Sequence, residues 1–453
     1  MTTQKKKIGI VHFRVGRTDG VSLEIEKRKN ILETAGHQVK LVSGPVQAAS
    51  DFIIEELEFD SPLMKSLREH SFNYFRPGQV DIVELKRCIE EIALKIESAF
   101  LQYHAFEKFD LLLLHNIFSL AINIPATLAF ARIVDRLQIP TIATHHDYFW
   151  EREKYDEPVA ELIDGYLRTY FPPNYANIHH VSINSIAQSE LMKRRGIPST
   201  VLPDVFDFEQ PEWRRDEFNN DFLSEFGIDE HDLVVLQATR IVERKGIEIA
   251  IKFVRELSSR KSELLGRPLY NGKFLNENTE IVLVLAGHPE VFEQEYFERV
   301  KREIVSAGIQ ARFAFDRCGA ERRNGSVKKY SLWDAYVFAD FVTYPSLNEG
   351  WGNQFIEAVF AKKPIALFEY PVYKSDIKKE GYSCISFGSK LLNNNNLNIA
   401  KIPEQTMRTA VDETLRLLVS EKTNEMLSGN FDIGRRFHDD SILEEFLLKQ
   451  TGI

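Results

Sequence analysis

Two stretches of this sequence repeat one pattern, in which short and continuously apolar runs alternate with segments of helical periodicity. Ile8–Phe13 reads as a buried strand, Ser22–Ala35 as a helix stopped by Gly36-His37, and Val39–Val42 as the next strand. The run F-D-L-L-L-L-H at Phe109–His115, the helix Ile124–Leu137 and the strand Thr141–Thr144 continue the series. A strand that is apolar at every position has no solvent face, so it belongs to a parallel sheet covered by helices on both sides. After the short strands His180–Ile183 and Thr200–Leu202, the polar, Pro-interrupted stretch Pro203–Ser224 reads as a linker. The pattern then restarts with strands at Leu233–Ala238, Glu280–Ala286, Ala311–Phe315 and Phe341–Tyr344, and a helix from about Gly246. A chain of 453 residues is too long for one ordinary core. The expected fold is therefore α/β, with two doubly wound domains at 1–205 and 206–430 and a helical tail at 431–453 that packs back on the first domain. Ala48–Glu107 reads as mostly helical, broken at Pro77-Gly78. In such sheets ligands lie beyond the carboxyl ends of the strands, which places the site where the two sets of carboxyl ends face each other across a cleft.

Composition removes several classes of function. With 57 Lys and Arg against 67 Asp and Glu, the net charge of -10 disfavours nucleic acid as a partner. Cys88, Cys318 and Cys384 show no CxxC spacing, so neither a disulfide framework nor a zinc site is expected and a cytoplasmic setting is the simplest. Neither a signal-peptide core nor an apolar run of about 18 residues is present, so no integral membrane association is expected. The dinucleotide and P-loop glycine patterns are missing. Asp110, Asp204 and Asp207 form no D-x-D at a strand end, so a site with no metal and no resident cofactor is expected.

The strongest motif is N-E-G-W-G-N-Q-F-I-E at Asn348–Glu357, where the strand Phe341–Tyr344 enters a glycine turn and a helix begins near Asn353. A helix start reached through such a turn presents unpaired N–H groups and the positive end of the helix dipole, which suits a diphosphate. Each of Glu349 and Glu357 can accept two hydrogen bonds from a vicinal diol; alternatively, they are solvated glutamates of a surface turn. Directly after the strand Leu233–Ala238 comes T-R-I-V-E-R-K-G, in which Arg240 and Lys245 can neutralise a departing diphosphate. Arg244 is the alternative to Lys245.

These motifs resemble glycosyltransferase family 4 of the retaining GT-B glycosyltransferases, whose two Rossmann-like domains face across a cleft. Glu349–Glu357 matches the family's E-x7-E pattern, with Trp351 where phenylalanine is common. The resemblance implies that Glu349 contacts the donor hexose and Glu357 the nucleotide ribose, while the backbone of Gly350, Trp351, Gly352, Asn353 and Gln354 holds the diphosphate. Arg240 and Lys245 fall on the family's phosphate-binding pair, with Thr239 replacing its first glycine. Gly20 sits at the second of two loop glycines that approach the donor phosphate, and Asp19 replaces the first. Arg14, Arg17 and Asp19 then lie beside the implied acceptor site, and the two arginines hint at an anionic acceptor. Thr144-His145-His146-Asp147 resembles T-x-H-D, which puts His146 near the hydroxymethyl group of the donor sugar, with His145 as the fallback. Tyr148, Phe149 and Trp150 suit either sugar stacking or core. Pro203–Asp207 looks like a degraded hinge motif and Gly287 like a structural turn.

The implied reaction is transfer of a hexose, glucose or mannose, from a UDP-glucose or GDP-mannose type of donor to a hydroxyl of a small soluble acceptor. Configuration is retained through front-face attack. A phosphorylase or epimerase of the same fold and a non-catalytic sugar-nucleotide-binding protein are the alternatives; intact Glu349, Arg240 and Lys245 argue against the last.

Overall fold

The computed structural model describes residues 5–16, 20–45, 50–75, 80–290, 293–392 and 399–452. The chain divides into two compact units, Met1–Val205 with Asp440–Ile453, and Phe206–Asp439.

In the first unit seven strands form one sheet: β1 (Lys7–Val11), β2 (Gln38–Ser43), β3 (Phe52–Ile53), β4 (Leu111–His115), β5 (Thr141–His145), β6 (Ile178–Ser182) and β7 (Thr200–Val201). They run parallel in the order β3-β2-β1-β4-β5-β6-β7. The leucines of β4 show why the strand is apolar throughout. Leu112 and Leu114 enter a core built with the helices Ile82–Glu107 and Ile124–Leu137. Leu111 and Leu113 enter the opposite core with Ile25 and Leu32 of the helix Gly20–Thr34, and with Leu443 and Leu447. Alternate side chains of one strand thus leave on opposite faces, and both faces are dry. Asn123 caps the helix Ile124–Leu137 by accepting from the Ala126 amide at 3.0 Å, and Pro125 occupies its first turn.

The stretch expected to be mostly helical before Glu107 also contains the short edge strand β3, paired with the end of β2. A two-residue strand carries too little pattern to be read from sequence. The expected break at Pro77-Gly78 lies outside the described residues. The tail returns to the first unit at Asp440, where the helix Asp440–Thr451 begins, rather than at 431. Residue 431 falls inside the helix Thr423–His438, and the chain breaks between the two helices at Asp439, which is extended.

The second unit holds β8 (Leu233–Gln237), β9 (Ile281–Leu285), β10 (Gln310–Phe313), β11 (Cys318–Gly319), β12 (Tyr330–Ser331), β13 (Phe341–Tyr344), β14 (Ile365–Leu367) and β15 (Ile385–Ser386). Six of them form a parallel sheet in the order β10-β9-β8-β13-β14-β15, while β11 and β12 pair separately. Strands β8 and β13 are neighbours, so the two motif loops that follow them leave the sheet side by side.

Candidate active site

The loops after β8 and β13 meet through charge. Lys245 is buried, 3% exposed, and its ammonium donates to Glu349 Oε1. Arg244 Nη1 donates to Glu349 Oε2 at 2.7 Å and to the Asn348 carbonyl at 2.9 Å. Burial pushes the Glu349 carboxyl up, but Lys245 and Arg244 outweigh it and hold the group below the usual carboxylate range. The same burial lowers Lys245 to about 8, only partly offset by Glu349 and reinforced by the positive Arg244 and Arg240. Both Lys245 and its alternative, Arg244, therefore join the cluster. The ring of Tyr344, the last residue of β13, lies 5.8 Å below the Lys245 ammonium.

The turn from Glu349 into the helix Asn353–Phe360 depends on Gly352. Its φ of 155° with ψ of 50° is a glycine conformation, and an added Cβ would lie 2.4 Å from the Tyr370 hydroxyl. That hydroxyl donates to the Trp351 carbonyl at 2.6 Å, tying the turn to the end of β14. Trp351 itself is buried and packs edge-on against His438, with ring centroids 5.4 Å apart. It is thus a wedge under the turn rather than a ligand platform. Gly350, Asn353 and Gln354 are half-buried, and Asn353 and Gln354 open the helix, where amides have no intrahelical partner. Glu357, in the second turn, accepts from the Tyr336 hydroxyl at 2.9 Å, which also reaches the Gln354 carbonyl at 3.3 Å.

Arg240 lies near enough for its charge to act on Lys245, but its own ion pair is made elsewhere. It is half-exposed and pairs with Glu290. Its backbone is set by close packing: a Cβ on Gly287 would lie 2.1 Å from the Thr239 carbonyl oxygen, so only glycine admits this approach. Thr239, the departure from the family glycine, is also explained. Gln237 donates to the Thr239 hydroxyl at 2.6 Å and accepts from the Thr343 hydroxyl at 2.8 Å, a buried relay across β8 and β13. Sequence reasoning missed Tyr336, Tyr344, Tyr370 and this relay. A tyrosine or glutamine inside an apolar run reads as core, and only the fold shows where its polar tip points.

In the first unit, His146 follows β5, and its amide donates to Asn116 Oδ1 at 2.8 Å. The fallback His145 is buried against His180, 3.0 Å between ring nitrogens, and burial lowers it well below the ordinary histidine value. It is core. Tyr148 is also fully buried and stacks on Trp150 at 4.4 Å, so these aromatics serve packing. Gly20 opens the helix Gly20–Thr34 and is exposed. Arg14 donates to Glu58 Oε1 at 3.0 Å and pairs with Asp60, with its guanidinium 3.8 Å from the Phe59 ring centroid. Its Nε is buried without a partner among the described residues. Arg17 and Asp19 lie outside the described residues.

Residues 219–385, which include Arg240, Lys245 and the turn from Glu349 to Glu357, match the family model described as Glycosyl transferases group 1. A mannosylglucosylglycerate synthase of Petrotoga mobilis is 39% identical over 85% of this chain and 87% of its own. That of Thermotoga maritima is 36% identical over 98% of this chain and 99% of its own.

The chain belongs to the group 1 glycosyltransferases.

The GT-B architecture agrees: a glycosyltransferase from Rickettsia africae superposes with a TM-score of 0.62 over 99% of this chain and 98% of its own, at 13% identity. No helix among the described residues is long and apolar enough to cross a membrane. In this glycosyltransferase the loops that carry Arg240, Lys245 and Glu349 thus follow two adjacent strands of the second unit's sheet.

Proposed function

We propose that this glycosyltransferase moves a mannosyl group from a nucleoside diphosphate mannose, of the GDP-mannose type, to a hydroxyl of glucosylglycerate, with retention and without a metal ion. The name shared by two relatives that align over most of this chain supports the product, mannosylglucosylglycerate. The observation that carries the chemistry is the buried Lys245–Glu349 pair at the ends of neighbouring strands. Glu349 is held ionised by two cations, so it is poorly suited to deliver a proton near neutral pH and well suited to accept hydrogen bonds from sugar hydroxyls. The bond from the anomeric carbon to the diphosphate breaks as the acceptor oxygen attacks the same face. The acceptor proton passes to the departing diphosphate. Lys245, Arg240 and the turn amides from Gly350 to Gln354 take up the developing charge, and Glu357 holds the ribose. Catalysis on this reading comes from positioning and charge stabilisation. The acceptor's glycerate is an anion, and Arg14, paired with Glu58 and Asp60, is the cation after β1 that we assign to it.

The test is to incubate the protein with GDP-mannose or UDP-glucose and glucosylglycerate, and to follow nucleotide release and the anomeric proton of the product by NMR. A new α-mannosidic bond with GDP as co-product is expected. A β-linked product would overturn retention. Release of sugar phosphate or an epimerised donor without acceptor product would favour the phosphorylase or epimerase alternative.

A further inference from the structure

Three histidines crowd the carboxyl end of the N-terminal sheet: His12 just past β1, His115 at the end of β4 and His146 just past β5. These strands are adjacent, which brings the side chains together. His115 Nδ1 lies 3.4 Å from His146 Nε2, and His12 Nδ1 lies 2.8 Å from the His115 carbonyl oxygen. On the other edge of the His146 ring, Nδ1 lies 3.6 Å from Asp204 Oδ1, an ion-pair contact slightly longer than a hydrogen bond. That oxygen is buried and has no hydrogen-bond partner among the described residues. Burial pushes the enclosed Asp204 carboxyl up, but its contact with His146 and the positive charges of Lys27 and Arg28 outweigh it and hold it low, so it is an acceptor and not a donor. A buried carboxylate oxygen seeks a donor, and the His146 Nδ1–H is the one in reach.

We propose that Asp204 is a positioning residue for His146: it takes the Nδ1–H, fixes the ring and its tautomer, and leaves Nε2 as the acceptor offered to a substrate hydroxyl. The neighbours agree with this assignment. A carbonyl oxygen only accepts, so His12 Nδ1 carries hydrogen. His115, kept neutral by burial, then donates from Nδ1 toward His146 Nε2, and its own Nε2 is left bare, as its lack of a partner requires. The long 3.4 Å contact leaves the His146 Nε2 lone pair open to a shorter bond from substrate. Sequence alone placed Asp204 in a degraded hinge motif and gave it no link to His146.

The inference rests on the transferase reading for its kinetic consequence but not for its geometry, and the experiment separates the two. In protein labelled with 15N at histidine, with His146 assigned by the His146→Gln variant, the ring should show a protonated Nδ1 and a bare Nε2. The opposite tautomer overturns the proposal whether or not the protein transfers sugar. In turnover, Asp204→Asn should lower kcat/KM for the nucleotide sugar by about tenfold, the loss of one hydrogen bond, while leaving affinity for the nucleoside diphosphate alone unchanged. Added to His146→Ala it should cost nothing further. Multiplying losses in the double variant, or equal weakening of the free diphosphate, would mean a structural role and overturn the proposal. Absence of transfer by the wild type would defeat the transferase reading and leave the NMR result standing.

Discussion

Lys245 turns donor binding into a titration. Its ammonium is buried and loses its proton at about pH 8, whereas an unfolded lysine does so near 10.4. A diphosphate binds the ammonium form, so apparent affinity falls as the free protein deprotonates. The dissociation constant for GDP should be nearly flat below pH 7, double near pH 8 and rise roughly tenfold per pH unit above it, giving about tenfold weaker binding at pH 9. Stability does not confound this window through the same group. Between about pH 8 and 10 the unfolded chain holds a proton that the folded chain has released, so this lysine makes the fold more stable as pH rises. The assay is isothermal titration of GDP from pH 6.5 to 9.5 in pairs of buffers with different ionisation enthalpies. Proton uptake approaching one per GDP is expected at pH 9. Lys245→Arg, whose guanidinium stays charged, should abolish the pH dependence above 8 even if its absolute affinity is lower. Affinity that is flat from pH 7 to 9 in the wild type, or the same decline in Lys245→Arg, would refute the reasoning.

Further outcomes follow from single contacts. Arg240→Ala removes a half-exposed side chain that pairs with Glu290, so it should melt within a degree or two of wild type yet lose about a hundredfold in kcat, read by turnover and calorimetry. Glu357→Ala deletes the acceptor of the Tyr336 hydroxyl and the proposed ribose contact; KM for the nucleotide sugar should rise by about tenfold or more, with KM for the acceptor unchanged. Gly352→Ala forces a Cβ to 2.4 Å from the Tyr370 hydroxyl, so it should displace the turn and abolish the thermal shift produced by GDP. Thr239→Val removes the acceptor for the Gln237 amide in a buried relay, and chemical denaturation should show a loss of about 1–3 kcal/mol.

Much of this protein is legible in one dimension, and the reason is local. A parallel strand buried on both faces must be apolar at every position, so Leu111–Leu114 announces both its strand and its two cores, and Leu233–Leu236 likewise announces a strand that is buried throughout. The turn at Gly350–Gly352 and the cations at Arg240 and Lys245 are also contiguous features, because a diphosphate site is made from one loop and one helix start at a time. What sequence could not decide is what each side chain faces. Tyr148 and Trp150 read equally as a sugar-stacking platform or as core, and tertiary packing makes them core. Lys245 and Glu349 are separated by more than a hundred positions, and only the pairing of β8 with β13 makes them a buried ion pair with a shifted lysine. Asp204 and His146, likewise, meet because a chain segment beyond β7 returns to the carboxyl end of β5. Periodicity and turn chemistry are properties of neighbours along the chain, whereas burial, charge coupling and tautomer depend on neighbours in space, and those exist only once the sheets have formed.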